Sequence, residues 1–178
     1  RYFEPGKSPT VIHIGGARIG VTVCEDVWND KDFWPKHLYA IDPVALLRKK
    51  GFDFLVNLSA SPFELGKVEL RCKMLKAAAK KYRRQVFHVN LVGGNDEILF
   101  DGNSMAFDSA GRMMARGKAF AEDIRIVDSD LETARSSPPA GRTGFDGLRM
   151  SGKAEEAYEA LVMGVRDYAQ KTGFRSAV

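Results

Sequence analysis

Between residues 52 and 92 an apolar run, a long segment with apolar side chains every three or four positions, and a second apolar run come one after another. This order limits the possible folds more tightly than anything else in the chain. Residues 52–58 have the length and content of a buried strand. In residues 64–84 the spacing of Leu65, Val68, Leu70, Met74, Leu75, Ala78 and Tyr82 repeats at three and four, as in a long amphipathic helix, and residues 86–92 read as a further strand. Two strands joined through a helix pair in parallel with a right-handed crossover, so the chain is expected to build a mixed sheet covered by helices.

The flanking text adds elements to that unit. Residues 10–14 and 18–23 read as a hairpin about Gly15-Gly16, with Ile19, Val21 and Val23 alternating with small or polar residues. Asp42-Pro43 supplies an N-cap and a first helical residue, and Gly51 a stop after Arg48-Lys49-Lys50. After a turn at Gly93-Gly94-Asn95-Asp96, shorter strands are expected at 104–107, 113–116 and 124–127, with a tight turn at Ser109-Ala110-Gly111. Residues 129–151 carry Ser136-Ser137-Pro138-Pro139 and several glycines with little apolar periodicity, which reads as a linker. Helical spacing resumes over 154–172 and stops at Gly173. A helix beyond a linker needs a partner to pack on.

Composition narrows the class without naming a chemistry. With 178 residues, 44% hydrophobic and 28% charged, the chain can bury one core. A net charge of +4 and one short basic cluster, Lys80, Lys81, Arg83 and Arg84, read as a solvated helix face and not as a nucleic-acid footprint. Cys24 and Cys72 lie far apart without CxxC spacing and the three histidines are scattered, so no disulfide framework or metal site is expected. Asp96, Glu97 and Asp101 lack the spacing of a calcium loop and read as loop or interface acids. No membrane span or signal layout is present, and a reducing, cytoplasmic setting fits best. The start at Arg1, without methionine, suggests a piece of a longer protein.

Chemistry concentrates at Cys24. It closes an apolar strand and is succeeded at once by Glu25-Asp26, which puts the thiol at a strand-to-loop edge of an open sheet, where ligands bind. A thiol there is a nucleophile if a neighbour activates it, and otherwise a small buried residue. Cys72, between Arg71 and Lys73 on the long helix, reads as structural.

Val23-Cys24-Glu25-Asp26-Val27-Trp28 resembles the nucleophile segment of the nitrilase superfamily. Asn57-Leu58-Ser59-Ala60-Ser61-Pro62-Phe63 with Gly66-Lys67, Gly93-Gly94-Asn95-Asp96-Glu97 and Phe100-Asp101-Gly102-Asn103-Ser104 resemble, in order, text of the glutaminase domain of glutamine-dependent NAD synthetases. Arg1-Tyr2-Phe3-Glu4 is similar to the segment just after that family's catalytic lysine, and the stretch from Tyr158 to Phe174 is similar to the helix entering its synthetase domain.

The resemblance implies an α/β fold, part of the α-β-β-α sandwich, with a linker and a helix of the next domain after it. It divides the chain into residues 1–128, the C-terminal portion of the glutaminase domain; 129–151, the linker; and 152–178, the start of an ATP pyrophosphatase-type domain. It implies that Cys24 attacks the glutamine carboxamide and that Glu25, Trp28, Ser61 and Lys67 line the glutamine pocket, Lys67 standing where relatives can carry arginine. The family's glutamate base and lysine would precede Arg1, so this fragment alone is expected to be inactive. No metal ligands and no cofactor are expected within it; ATP and magnesium would serve the synthetase domain, which would amidate deamido-NAD with the released ammonia in a homo-oligomer. Two rivals stand beside this reading: a free-standing nitrilase-type amidase and a scaffold that kept the fold and lost the chemistry.

Overall fold

The structure is a computed structural model that describes residues 6, 8–36, 39–129 and 152–173. The segment at Arg1-Tyr2-Phe3-Glu4, Phe174 and nearly all of the linker at 129–151 lie outside the described residues.

Strands β1 (Thr10–Ile14) and β2 (Ala17–Val23) form the expected antiparallel hairpin. Its two-residue turn is Gly15-Gly16, with φ of 55° and 80°, left-handed values that glycine adopts without a Cβ clash. Helix α1 (Pro43–Lys50) starts where the Asp42 carboxylate accepts from the Ala45 N–H at 2.9 Å and stops at Gly51, whose φ is 84°. Strand β3 (Phe54–Ser59), helix α2 (Lys67–Tyr82) and strand β4 (Gln85–Asn90) come next. Helix α2 begins three residues later than its apolar spacing predicts, because Gly66 at φ 82° turns the chain into it.

Beyond β4 come β5 (Val92–Asn95), β6 (Ile98–Asp101), β7 (Met105–Phe107) and β8 (Met113–Arg116), and then helix α3 (Lys153–Thr172). The main sheet runs β1-β2-β3-β4-β7-β8, with β2, β3 and β4 mutually parallel and the outer pairs antiparallel. Helices α1 and α2 share one core with it, built from Val44, Leu47, Phe52, Leu55, Met74, Leu75, Val86 and Phe107. The opposite face also carries apolar side chains, yet Val23, Leu58 and Val89 there are about half exposed or more. One sheet-and-helix pair of the expected sandwich is therefore present among the described residues.

Several expectations are corrected. The segment expected to turn at 93–96 is largely strand, because Gly93 to Asn95 pair with β6, and the reversal falls at Asp96, where φ is 52°. Residues 124–127 form no strand; Ile124 and Ile126 are more than nine-tenths exposed, so their alternation has no sheet to face. Asp101 is not a loop acid: it is buried, with its carboxylate 2.5 Å from Arg71 Nη2 and 2.6 Å from Asn103 Nδ2. Of the basic cluster, Lys81 is not merely solvated, since it pairs with Asp30 at 2.6 Å and Asp32 at 2.7 Å.

Helix α3 finds its partner in the β5–β6 hairpin. Ala160 and Met163 pack with Phe120, Phe63, Val92 and Leu99, while Asp167 accepts from the Gly94 N–H at 2.8 Å. A Cβ at Gly164 would stand 3.2 Å from Leu99 Cδ2, which shows how closely the two approach.

The buried Arg71–Asp101 pair ties α2 to the end of β6. Arg71→Met leaves the Asp101 carboxylate buried without its countercharge, so urea unfolding should show a loss of about 3–5 kcal/mol. A loss under about 1 kcal/mol, the range of an exposed pair, would mean that this pair does not hold the helix in place.

Candidate active site

The carboxyl ends of β2, β3 and β4 lie side by side, Val23 opposite Leu58 and Leu58 opposite Val89. Cys24 leaves β2 at this edge, as expected, and opens the 3-10 turn Cys24–Trp28. Its φ is 47°, a left-handed value that costs a residue bearing a Cβ about 1–2 kcal/mol. The Asp26 carboxylate accepts from the Val23 N–H at 2.8 Å and closes the turn from outside. Ser59 Oγ stands 3.8 Å from Cys24 Sγ, and Asn57 Nδ2 donates to the Cys24 carbonyl at 3.3 Å.

Behind the thiol a row of polar side chains crosses the sheet in register, Thr22 opposite Asn57 and Asn57 opposite His88. All three are buried. Asn57 Nδ2 donates to Thr22 Oγ1 at 3.1 Å, and Asn57 Oδ1 meets His88 Nδ1 at 2.8 Å. Burial, with the Arg71 guanidinium in support, pushes the His88 imidazole down to about 3, so it is neutral at ordinary pH.

Glu25 and Trp28 ride on the same turn as Cys24. Tyr39 Oη donates to Glu25 Oε2, and this bond raises the phenol's proton affinity. Tyr39 is brought there by the buried Asn29, whose amide donates to the carbonyls of Tyr39 at 2.8 Å and Ile41 at 2.6 Å and accepts from the Tyr39 N–H at 3.1 Å. Trp28 stacks on Trp34 at 5.8 Å, and Lys67 Nζ, from the first residue of α2, lies 5.8 Å above the Trp28 ring.

Ser61 is buried in the segment leaving β3, with its N–H donating to Asn90 Oδ1 at 2.9 Å. Cys24, Glu25, Trp28 and Lys67 thus gather around one turn. Among the described residues no hydrogen bond or ion pair joins Ser61 or Lys67 to Cys24 or Glu25.

Asn90 is itself held by Asp101 and by the Gly102 carbonyl, at 3.3 and 2.9 Å, so the Ser61 segment hangs from the same buried network as Arg71. Asn57, His88, Asn90 and Tyr39 are the site residues that sequence reasoning passed over. For the first three a signal existed: each is a polar residue at a buried-parity position of an apolar strand, where only a hydrogen-bonded partner makes it tolerable. Tyr39 had none, since its role arises from a loop.

A cavity of about 270 Å³ is lined by Phe87, His88, Val89, Ser104, Met105, Ile124 and Val127 among others; it reaches His88 at the end of the polar row but takes in none of Cys24, Glu25, Trp28, Ser61 and Lys67. The chemistry of the thiol turn, not cavity size, decides the site. Among the described residues no cluster of metal-ligating side chains is found and no helix is long and apolar enough to cross a membrane.

The carbon-nitrogen hydrolase family model matches residues 1–139. A glutamine-dependent NAD(+) synthetase of Synechocystis sp. is 39% identical over 178 residues, which are 100% of this chain and 31% of that protein. The chain thus spans about a third of the length of the curated relatives it matches. The solved glutamine-dependent NAD+ synthetase of Acinetobacter baumannii, in complex with ADP, superposes with a TM-score of 0.79 at 31% identity, over 99% of this chain and 30% of that one. A mutant of the Nesterenkonia amidase from the nitrilase superfamily has a TM-score of 0.52 at 22% identity, over 64% of this chain and 39% of that one, a likeness of fold.

Cys72 is half-buried on α2, and burial raises its thiol above the ordinary range. Iodoacetamide at pH 7.5 should therefore alkylate Cys24 at least ~10-fold faster than Cys72, as read by peptide mass mapping. Equal rates would show that the turn does not present Cys24 as a reactive thiol.

Proposed function

The chain belongs to the carbon-nitrogen hydrolase family, and from that premise we propose that it carries the nucleophile of a glutaminase, releasing ammonia from L-glutamine for ATP-dependent amidation of deamido-NAD. The observation that carries this reading is the placement of Cys24: a left-handed turn at the carboxyl edge of three parallel strands, with Glu25 and Trp28 on the same turn and Lys67 over Trp28. The full-length relatives named for that activity support the choice of substrate.

In this scheme Cys24 Sγ attacks the side-chain carboxamide carbon of glutamine, and its proton passes through a general base to the leaving nitrogen. The C–N bond breaks, ammonia departs, and a thioester remains. Water then adds to the thioester carbon, returning a proton to the thiolate as glutamate leaves. The family's glutamate and lysine would serve as base and cationic helper. The Glu25 N–H, second in its 3-10 turn, has no acceptor within that turn and is available to the developing oxyanion.

Ser61 offers a hydroxyl to the zwitterionic end of glutamine, and Lys67 pairs with its carboxylate as a point charge, without the fork of an arginine. The Trp28 ring supplies an apolar wall. Glu25, steadied by Tyr39, faces the amino group. ATP and magnesium act in a synthetase portion, for which residues 152–178 would be the entry; the assembly is a cytoplasmic homo-oligomer.

In the full-length protein, Cys24→Ala should abolish glutamine-dependent NAD formation and leave synthesis from added ammonia largely intact. Lys67→Ala should raise the KM for glutamine by ~10-fold, the loss of one charge-assisted contact. Loss of both activities in a folded Cys24→Ala protein would make Cys24 structural, and retention of both would place the nucleophile elsewhere.

A further inference from the structure

The Thr22–Asn57–His88 row admits a single arrangement of protons. Thr22 Oγ1 donates its one proton to the Val56 carbonyl at 3.1 Å, so it meets Asn57 only as an acceptor. The Asn57 amide must therefore turn its NH2 toward Thr22, at 3.1 Å, and toward the Cys24 carbonyl, at 3.3 Å. That leaves Asn57 Oδ1 facing His88 Nδ1 at 2.8 Å, and a carbonyl oxygen only accepts. His88 is thereby held as its Nδ1–H tautomer, and being neutral it donates this bond at every working pH.

The Cys24 carbonyl and the Glu25 N–H belong to one planar peptide unit and point in opposite directions across it. A hydrogen bond that seizes the carbonyl from beneath the sheet edge therefore sets the direction of the N–H. Cys24 at φ 47° lies where a residue with a Cβ does not settle unaided, so the unit needs such a hold.

We infer that Asn57, oriented by His88, is a positioning residue that fixes the Cys24–Glu25 peptide so that the Glu25 N–H meets the oxyanion formed on attack by Cys24. The inference rests on the reading of Cys24 as nucleophile and adds two residues that touch neither substrate nor the reacting atoms. Their effect falls on the transition state, because the carbonyl of bound glutamine gathers its charge only as the thiol adds.

Steady-state glutamate release by the full-length protein tests this. Asn57→Asp keeps the shape, removes both donors and sets an oxygen against the Cys24 carbonyl; kcat should fall ~100-fold, as for a lost oxyanion donor, with KM within ~3-fold of wild type. His88→Leu should lower kcat by at least ~10-fold, whereas His88→Asn, whose amide donates from nearly the same place as Nδ1, should recover kcat to within ~3-fold with the acid limb of the pH profile unchanged.

Where Asn57→Asp does not fold by circular dichroism, the His88 pair decides. A rise in KM with kcat retained, an equal loss in His88→Asn and His88→Leu, or an acid limb displaced in His88→Asn would each overturn the assignment. The parent reading fails separately: Cys24→Ala that still hydrolyses glutamine removes the nucleophile, whereas an inactive Cys24→Ala beside fully active Asn57 and His88 variants removes this inference alone.

Discussion

In-register parallel pairing of β2, β3 and β4 is the constraint on which the rest of the molecule depends. Because side chains alternate across a sheet, a slip of one residue in either pairing would send Asn57 and His88 to the open face and break the row that reaches the Cys24 carbonyl. The register also brings the ends of all three strands to one edge, so that a thiol turn, a serine and an asparagine leave the sheet together at Cys24, Ser59 and Asn90. Parallel strands need long crossovers, and the two here, through α1 and α2, return to the same face and seal the core behind the site.

A second polar assembly holds the other side of that edge. Arg71, Asp101, Asn90 and Asn103 are all buried, and the chain of bonds among them ends on the Ser61 N–H. Burial makes each unpaired group expensive, so such a network tolerates few geometries. The loop from β3 to α2, which carries both Ser61 and Lys67, is therefore positioned by buried bonds at Asn90 and by the start of a helix at Gly66.

Apolar surface is distributed unevenly. One face of the main sheet is sealed by α1 and α2, while the other shows Leu58, Val89 and Val23, and α3 shows Tyr158, Leu161, Val165 and Tyr168 on the side away from β5–β6. Apolar positions on both sides of strands and helix are what packed layers require, and the sandwich expected from the resemblance has a second sheet to lay on the first.

Local chemistry was legible in the sequence where each residue acts through its own backbone. Gly15-Gly16 marks the hairpin, Asp42-Pro43 and Gly51 bound α1, Gly173 ends α3, and the break from Val23 to Glu25 puts Cys24 at a strand end, because turns, caps and strand exits are settled by a few neighbouring φ and ψ values. The apolar run at 124–127 misled for the opposite reason: alternation makes a strand only where a sheet edge offers hydrogen bonds, and none reaches it. Tertiary structure alone decided that Asp101 is a buried partner of Arg71, that Tyr39 reaches Glu25, and that Thr22, Asn57 and His88 form one row. These residues are 30, 14 and up to 66 positions apart, and register and packing, which no local spacing encodes, bring their side chains within bonding distance.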